Sequence, residues 1–213
     1  AYTLDAATAD LTLTLGTFST GGFTLTTASG SDIAVNGATM NTGTSTMTIA
    51  GGLTVAGGTY NGNDATPTFS GAVLLSSGAY NGSTNGDTFS GGLTISGGTF
   101  TASDATTTVS GAWTHTGGGT FTHNSGTVAF TGAAATIDVA TTETFSTLTI
   151  NKNNTATLTI ASGDSLVSTG TLTLTNGAVG TGTLTPQGAV SVGAGFDGGD
   201  AVLQFGGSSA QTF

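Results

Sequence analysis

Twenty residues separate Ile49, Phe69, Phe89 and Val109, and the same interval separates Leu53, Val73, Leu93 and Trp113. Tyr60, Tyr80 and Phe100 keep it, with Phe121 one residue late. Between these positions stand Gly51, Gly71, Gly91 and Gly111, then a second glycine-bearing turn at Gly57-Gly58, Ser77-Gly78, Gly97-Gly98 and Gly117-Gly118-Gly119. A fixed period of this size means one small unit stacked on copies of itself, because a unit so short cannot bury its apolar face alone. The aliphatic and aromatic positions are then core columns running through the stack.

Within the period the side chains alternate. Leu11-Thr-Leu13-Thr-Leu15, Leu93-Thr-Ile95, Leu148-Thr-Ile150 and Leu172-Thr-Leu174 put aliphatics on one face and threonine on the other, the signature of a half-buried strand. Helical periodicity is absent, and 37 glycines would cost too much in helices. Two prolines, Pro67 and Pro186, are expected near strand edges or turns, where a missing N–H does least harm. The expected fold is all-β: a single-chain β-solenoid, or parallel β-helix, with about 20 residues per coil. About ten coils at ~4.8 Å make a rod roughly 50 Å long. Coil length near twenty leans to a right-handed winding. The alternative is an antiparallel β-sandwich, whose strands also alternate but which has no reason to repeat side-chain type in register. One elongated unit spans 1–213, with regular coils about 33–126 and less regular ones over 127–213.

Charged residues make up 6% of the chain, against roughly one quarter in ordinary globular proteins. Lys152 is the sole cation against 11 acids, a formal charge of -10. Binding a phosphate backbone needs Lys and Arg, so nucleic acid is not an expected partner, and anionic membranes are disfavoured by the same argument. No stretch is long and apolar enough for a membrane helix, so no membrane insertion is expected. With no cysteine, neither disulfides nor thiolate metal sites hold the fold. Richness in Thr, Ser, Gly and Asn with one Lys reads as a secreted or cell-surface prokaryotic protein.

The terminal segments look like core-forming strand: Tyr2, Leu4, Leu11 and Leu13 at the start, Val202, Phe205 and Phe213 at the finish. Uncapped coils would leave unpaired backbone groups, so further repeats or a second subunit are expected to cover them, and these residues are the candidate polymer interface. Thr144-Phe-Ser-Thr-Leu148-Thr-Ile150-Asn-Lys152, Leu158-Thr-Ile160 and Gly170-Thr-Leu172-Thr-Leu174-Thr-Asn-Gly177 resemble the Thr/Gly-rich β-strand repeats of very large bacterial surface proteins. They are more distantly similar to the β-helical shafts of filamentous haemagglutinin-like and autotransporter adhesins. That resemblance implies an extracellular structural or adhesive role: a structural subunit of a filament or surface fibre, joined end to end to copies of itself. The alternatives are an adhesin shaft that binds glycans, for which Trp113 would be an exposed stacking platform, and ice binding. The last rests on Thr46/Thr48, Thr66/Thr68 and Thr106/Thr108, a Thr-x-Thr array broken at Gly86/Thr88 that resembles the ice-binding faces of some β-solenoid antifreeze proteins.

Chemistry is sparse. His115 falls in an inward column, but no acid is evidently placed beside it for a metal site. Asp64 and Asp104 share a column with Asn124 next in line, so weak Ca²⁺ binding at the corners is conceivable; otherwise the acids read as solvated turn residues, and no cofactor is expected. No nucleophile elbow or phosphate loop occurs. The chain is not expected to be an enzyme.

Overall fold

The computed structural model describes residues 2–4 and 9–207. The strand pairings among them are parallel throughout, and none of these residues is helical. The chain is therefore a parallel β-solenoid of about ten turns, and the sandwich alternative fails because it requires antiparallel neighbours.

Each coil has three sides. Face one is built by Tyr2–Leu4, Leu25–Thr27, Thr46–Ile49, Thr66–Phe69, Asp87–Phe89, Thr106–Val109, Thr127–Gly132 and Thr147–Lys152, then by the first halves of Leu172–Gly180 and Val190–Gly198. Face two runs from Leu11–Leu13 through Ile33–Val35 and the starts of Leu53–Asn61 and Val73–Asn81. It continues through Leu93–Ile95, Trp113–His115, Ala135–Val139 and Thr157–Ile160 to the second half of Leu172–Gly180. Face three starts at Thr17–Ser19 and Thr39–Asn41 and climbs to Thr120–Thr122. There its ladder stops. Thr142–Phe145, Ser165–Ser168, Thr183–Pro186 and Val202–Leu203 form a separate four-stranded sheet.

The register explains the period. Ile49 lies over Phe69, Phe69 beside Phe89, and Phe89 beside Val109, all fully buried. Leu53, Val73, Leu93 and Trp113 are likewise stacked and buried. In the third column the rings of Tyr60 and Tyr80 stack at 4.7 Å and 9°, and those of Tyr80 and Phe100 at 4.7 Å and 10°, offsets at which aromatic pairs attract. Phe121, after the one-residue insertion, is half-buried, and its ring sits 6.2 Å from Phe100 at 28°. Beside this column, on the outer side of face three, Asn81 Nδ2 donates to Asn61 Oδ1 at 2.8 Å and Asn61 Nδ2 donates to Asn41 Oδ1 at 2.7 Å. Identical amides are self-complementary at the strand spacing, so the stack satisfies them.

The glycine column is a matter of close approach. A Cβ on Gly71 would lie 2.5 Å from the Gly51 carbonyl carbon, and one on Gly91 2.3 Å from that of Gly71. Consecutive coils touch backbone to backbone at this corner. Pro67 departs from expectation: it sits inside Thr66–Phe69, buried, paired with Met47. On its other side pairing begins only at Thr68, so the missing N–H is accommodated by a shortened ladder rather than by an edge position.

Gly91→Ala should therefore destabilise the fold by roughly 2–4 kcal/mol through overpacking against backbone that cannot move aside. Gly117→Ala, whose added Cβ meets nothing within 4 Å, should change stability by less than about 0.5 kcal/mol. Urea unfolding of the two variants checks the pair, and equal effects would contradict the contact argument.

Candidate functional site

Three features outside the apolar columns carry chemistry. The first is the outer side of face one. In the middle position of successive strands stand Thr3, Thr26, Thr48, Thr68, Thr88, Thr108, Ala129, Thr149, Thr173 and Ser191. Eight of these ten are threonine, a longer column than the interrupted array evident in the sequence. A second, flanking column holds Thr46 over Thr66 and, further along, Thr106, Thr127 and Thr147. None of the outward residues in these two columns is charged.

The second feature is a set of ionisable groups inside the solenoid. Asp87 alternates with Phe89 in Asp87–Phe89, so it points inward and is buried. It stacks on Thr107, and the two do the same work. The Ser83 N–H donates to Asp87 Oδ1 at 3.2 Å, and the Ser103 N–H to Thr107 Oγ1 at 3.1 Å. Burial pushes the Asp87 carboxyl from 3.8 up to about 6. The Ser83 backbone N–H, donating to the carboxyl, pulls the other way. Lys152 is also inside. Its Nζ donates to the Thr131 carbonyl, its backbone pairs with Gly132, and burial pushes its ammonium down from 10.5 to about 8. The one cation therefore gives the surface no positive charge.

The third feature lies where the face-three ladder breaks. Trp113 and His115 come from face two below, and Glu143 from Thr142–Phe145 above. His115 Nδ1 lies 2.7 Å from Glu143 Oε2, its Nε2 lies 3.2 Å from the Gly119 carbonyl, and Trp113 Nε1–H donates to the same Glu143 oxygen at 3.3 Å. Burial raises the Glu143 pKa, while His115, Trp113 and the Thr144 backbone N–H hold it down. Rings of Phe100, Phe121, Phe130 and Phe145 surround the indole at 5.0 to 6.3 Å. Sequence reasoning placed His115 inward but missed its acid. The signal was there, because Glu143 alternates with Phe145 and must share its inward phase. Asp87 was legible in the same way from Phe89.

Other sequence-selected residues are dispersed. Trp113 is fully buried and cannot serve as a platform for a sugar. Asp64 Oδ1 accepts from the Thr84 hydroxyl at 2.7 Å, and no group of three or more His, Cys, Asp or Glu able to hold a metal ion occurs among the described residues. Of the end residues, Tyr2 and Leu4 lie in a face-one strand. Leu11 and Leu13 are half-buried, Val202 and Phe205 are exposed, and Phe213 lies outside the described residues. Among the described residues no helix is long and apolar enough to cross a membrane. In comparisons with known proteins the chain matches no family model, no curated protein and no solved structure.

Asp87 gives the fold a pH dependence. A carboxyl whose pKa rises on folding holds its proton more tightly in the folded chain. Its contribution is complete below the unfolded value of 3.8 and is lost as pH climbs through about 6, on the order of 2–3 kcal/mol in all. Asp87→Thr, copying Thr107, should remove that part of the slope and stabilise the chain at pH 7.5 while changing little at pH 3.5. Urea unfolding at both pH values checks this, and an unchanged slope would show that Asp87 is not its source.

Proposed function

We propose that the chain is a structural segment of an extracellular filament or surface fibre, extended by coil-on-coil stacking with copies of itself. The observation that carries the reading concerns the last described coil. Val192 is 60% exposed although Leu174, over which it stacks, is 4% exposed; Leu203 is 41% exposed although Leu184 beneath it is 3% exposed. The residues stacked directly beneath them, Ile150 and Leu174 under Val192 and Leu166 and Leu184 under Leu203, are apolar and buried, so the surface that would cover them is another coil with the same register. A parallel ladder continues only when the added coil points the same way, so the contact is head-to-tail and open, the kind that propagates rather than closes. A rod of backbone hydrogen bonds and stacked apolar columns resists bending. With no cysteine to oxidise and its one lysine buried, it also suits material left outside a prokaryotic cell.

Electron microscopy of the purified chain in dilute neutral buffer should show unbranched filaments with an axial repeat near ~4.8 Å. Val192→Asp combined with Leu203→Asp should leave separate rods of unchanged β content, because two carboxylates would be buried without partners at a joint that otherwise covers apolar side chains. Separate rods from the unmodified chain would overturn the reading.

A second reading is favoured by the face-one column, eight threonines in ten positions without a charge. Methyls and hydroxyls repeated at ~4.8 Å along the axis and roughly 7 Å across a strand form a regular grid, suited to ordering water at an ice surface. The expected result is thermal hysteresis that Thr88→Asp abolishes without loss of fold. A freezing gap no larger than that of an unrelated protein would dismiss it.

A further inference from the structure

The cluster at the face-three break contains a proton whose presence can be read from its geometry. His115 is held between two acceptors, the Glu143 carboxyl at Nδ1 and the Gly119 carbonyl at Nε2. A neutral imidazole has a single N–H and cannot donate to both. Only two arrangements satisfy the contacts. Either an imidazolium faces a carboxylate, or a neutral ring protonated on Nε2 accepts at Nδ1 from a protonated Glu143. Both contain the same number of protons. Removing one leaves a carboxylate and a neutral ring, and a ring lone pair must then face an acceptor.

Which contact fails follows from the surroundings. Glu143 is buried, and as a carboxylate it needs every donor it has, Trp113 Nε1–H included. Nδ1–H therefore stays with Glu143, and the Nε2 lone pair is left against the Gly119 carbonyl. That carbonyl belongs to the turn Thr116–Gly119, in which Gly119 packs against Ile95 and Gly97 of the coil below while the residues before it face solvent. Thr116, Gly117 and Gly118 are exposed, and a Cβ on Gly117 would meet nothing.

We propose that His115 and Glu143 form a proton-operated latch: one shared proton holds the Thr116–Gly119 turn closed over the break in face three, and its loss releases the turn. Few other ionisable groups bear on the pair. From Ala135–Val139, Val139 stacks on His115, and its N–H is taken by the buried Asp164 at 2.8 Å; Asp138 on that strand is exposed, over Thr114. The strand Thr120–Thr122 contributes Phe121, and His123 beyond it accepts at Nδ1 from the Ser125 N–H on the exposed side. Burial, which raises the Glu143 pKa, works in the same direction, keeping the proton in the pair. The latch is closed at low pH and opens as pH rises. Its position matters because the pair ties Trp113–His115, in the large sheet, to Thr142–Phe145, the first strand of the separate sheet.

The test is a pH series by nuclear magnetic resonance on the intact chain, following the ¹⁵N shifts of the His115 ring and the amides of Gly117 to Gly119. At low pH, Nε2 should carry a proton. As pH rises the ring should pass to the Nδ1–H form, and amide exchange at Gly119, corrected for its intrinsic rate, should rise roughly five- to tenfold at the same midpoint, the weight of one hydrogen bond. Glu143→Gln should move the step to lower pH, because the amide oxygen still accepts from Trp113 Nε1–H and His115 Nδ1–H but no longer balances a charge on the ring. A ring in the Nδ1–H form throughout, a Gly119 amide that ignores the titration, or a step at an unchanged midpoint in Glu143→Gln would each overturn the latch. Should that variant fail to fold, the series on the unmodified chain still decides, since it must show the ring change and the turn release together.

Discussion

Stacking of like on like at the parallel-strand spacing is the constraint from which the rest of this molecule follows. Within an unbroken ladder each strand residue has a neighbour of the same register about 4.8 Å above and below it, so a side chain is tolerated in proportion to how well it meets its own kind. Leucine, valine and phenylalanine meet it by packing, asparagine by amide-to-amide hydrogen bonds, threonine by hydration on the outside. Charges meet it worst, which is a physical reason for a chain with 6% charged residues. Where acids do fall in register, the backbone separates them electrically. Asp10 Oδ1 accepts the Asp32 N–H at 2.9 Å, and Asp32 Oδ1 accepts the Gly52 N–H at 2.6 Å. Each carboxylate is thereby tied to a donor from the coil above rather than left facing its neighbour.

The same constraint explains why the architecture was legible in the sequence. A period of twenty residues is the footprint of register, and the residues sharing it at Ile49, Phe69, Phe89 and Val109 are those the strands bring together. The glycine column was visible as a repeat, but its cause was not, since φ preference and close approach leave the same letter in a sequence. Gly71 and Gly91 show it to be the approach of one coil's backbone to the next. Pro67 was misjudged because the rule applied to it concerns ladders that continue on both sides, and here the ladder is shortened on one.

The polar interior was the part least legible, for a reason that generalises. Acids in a Gly- and Thr-rich chain read as turn residues on composition, and Asp87 and Glu143 are among them, while Lys152 reads only as a lone cation. Strand phase overrides composition, because a residue two positions from a core phenylalanine or isoleucine points where that residue points. Asp87 precedes Phe89 by two, Glu143 precedes Phe145 by two, and Lys152 follows Ile150 by two. Each has a local answer to burial: a backbone donor for Asp87, an imidazole and an indole for Glu143, a carbonyl for Lys152.

These exceptions sit at different kinds of place. Asp87 lies within the regular coils, where Thr107 performs the same capping in the next turn without a charge, so its carboxyl adds pH dependence to a position that does not require one. Glu143 lies where the face-three ladder is interrupted and the main-chain hydrogen bonds that join neighbouring strands elsewhere in the stack stop. At such a gap a side-chain bond between two strands takes over part of what the backbone does elsewhere, and a bond between titratable groups makes that joint responsive to protons. The regular coils supply stiffness through backbone ladders that continue from coil to coil. The break can change state because its bridge is made of side chains, and the solenoid accommodates it there without disturbing register on faces one and two, which remain paired across it.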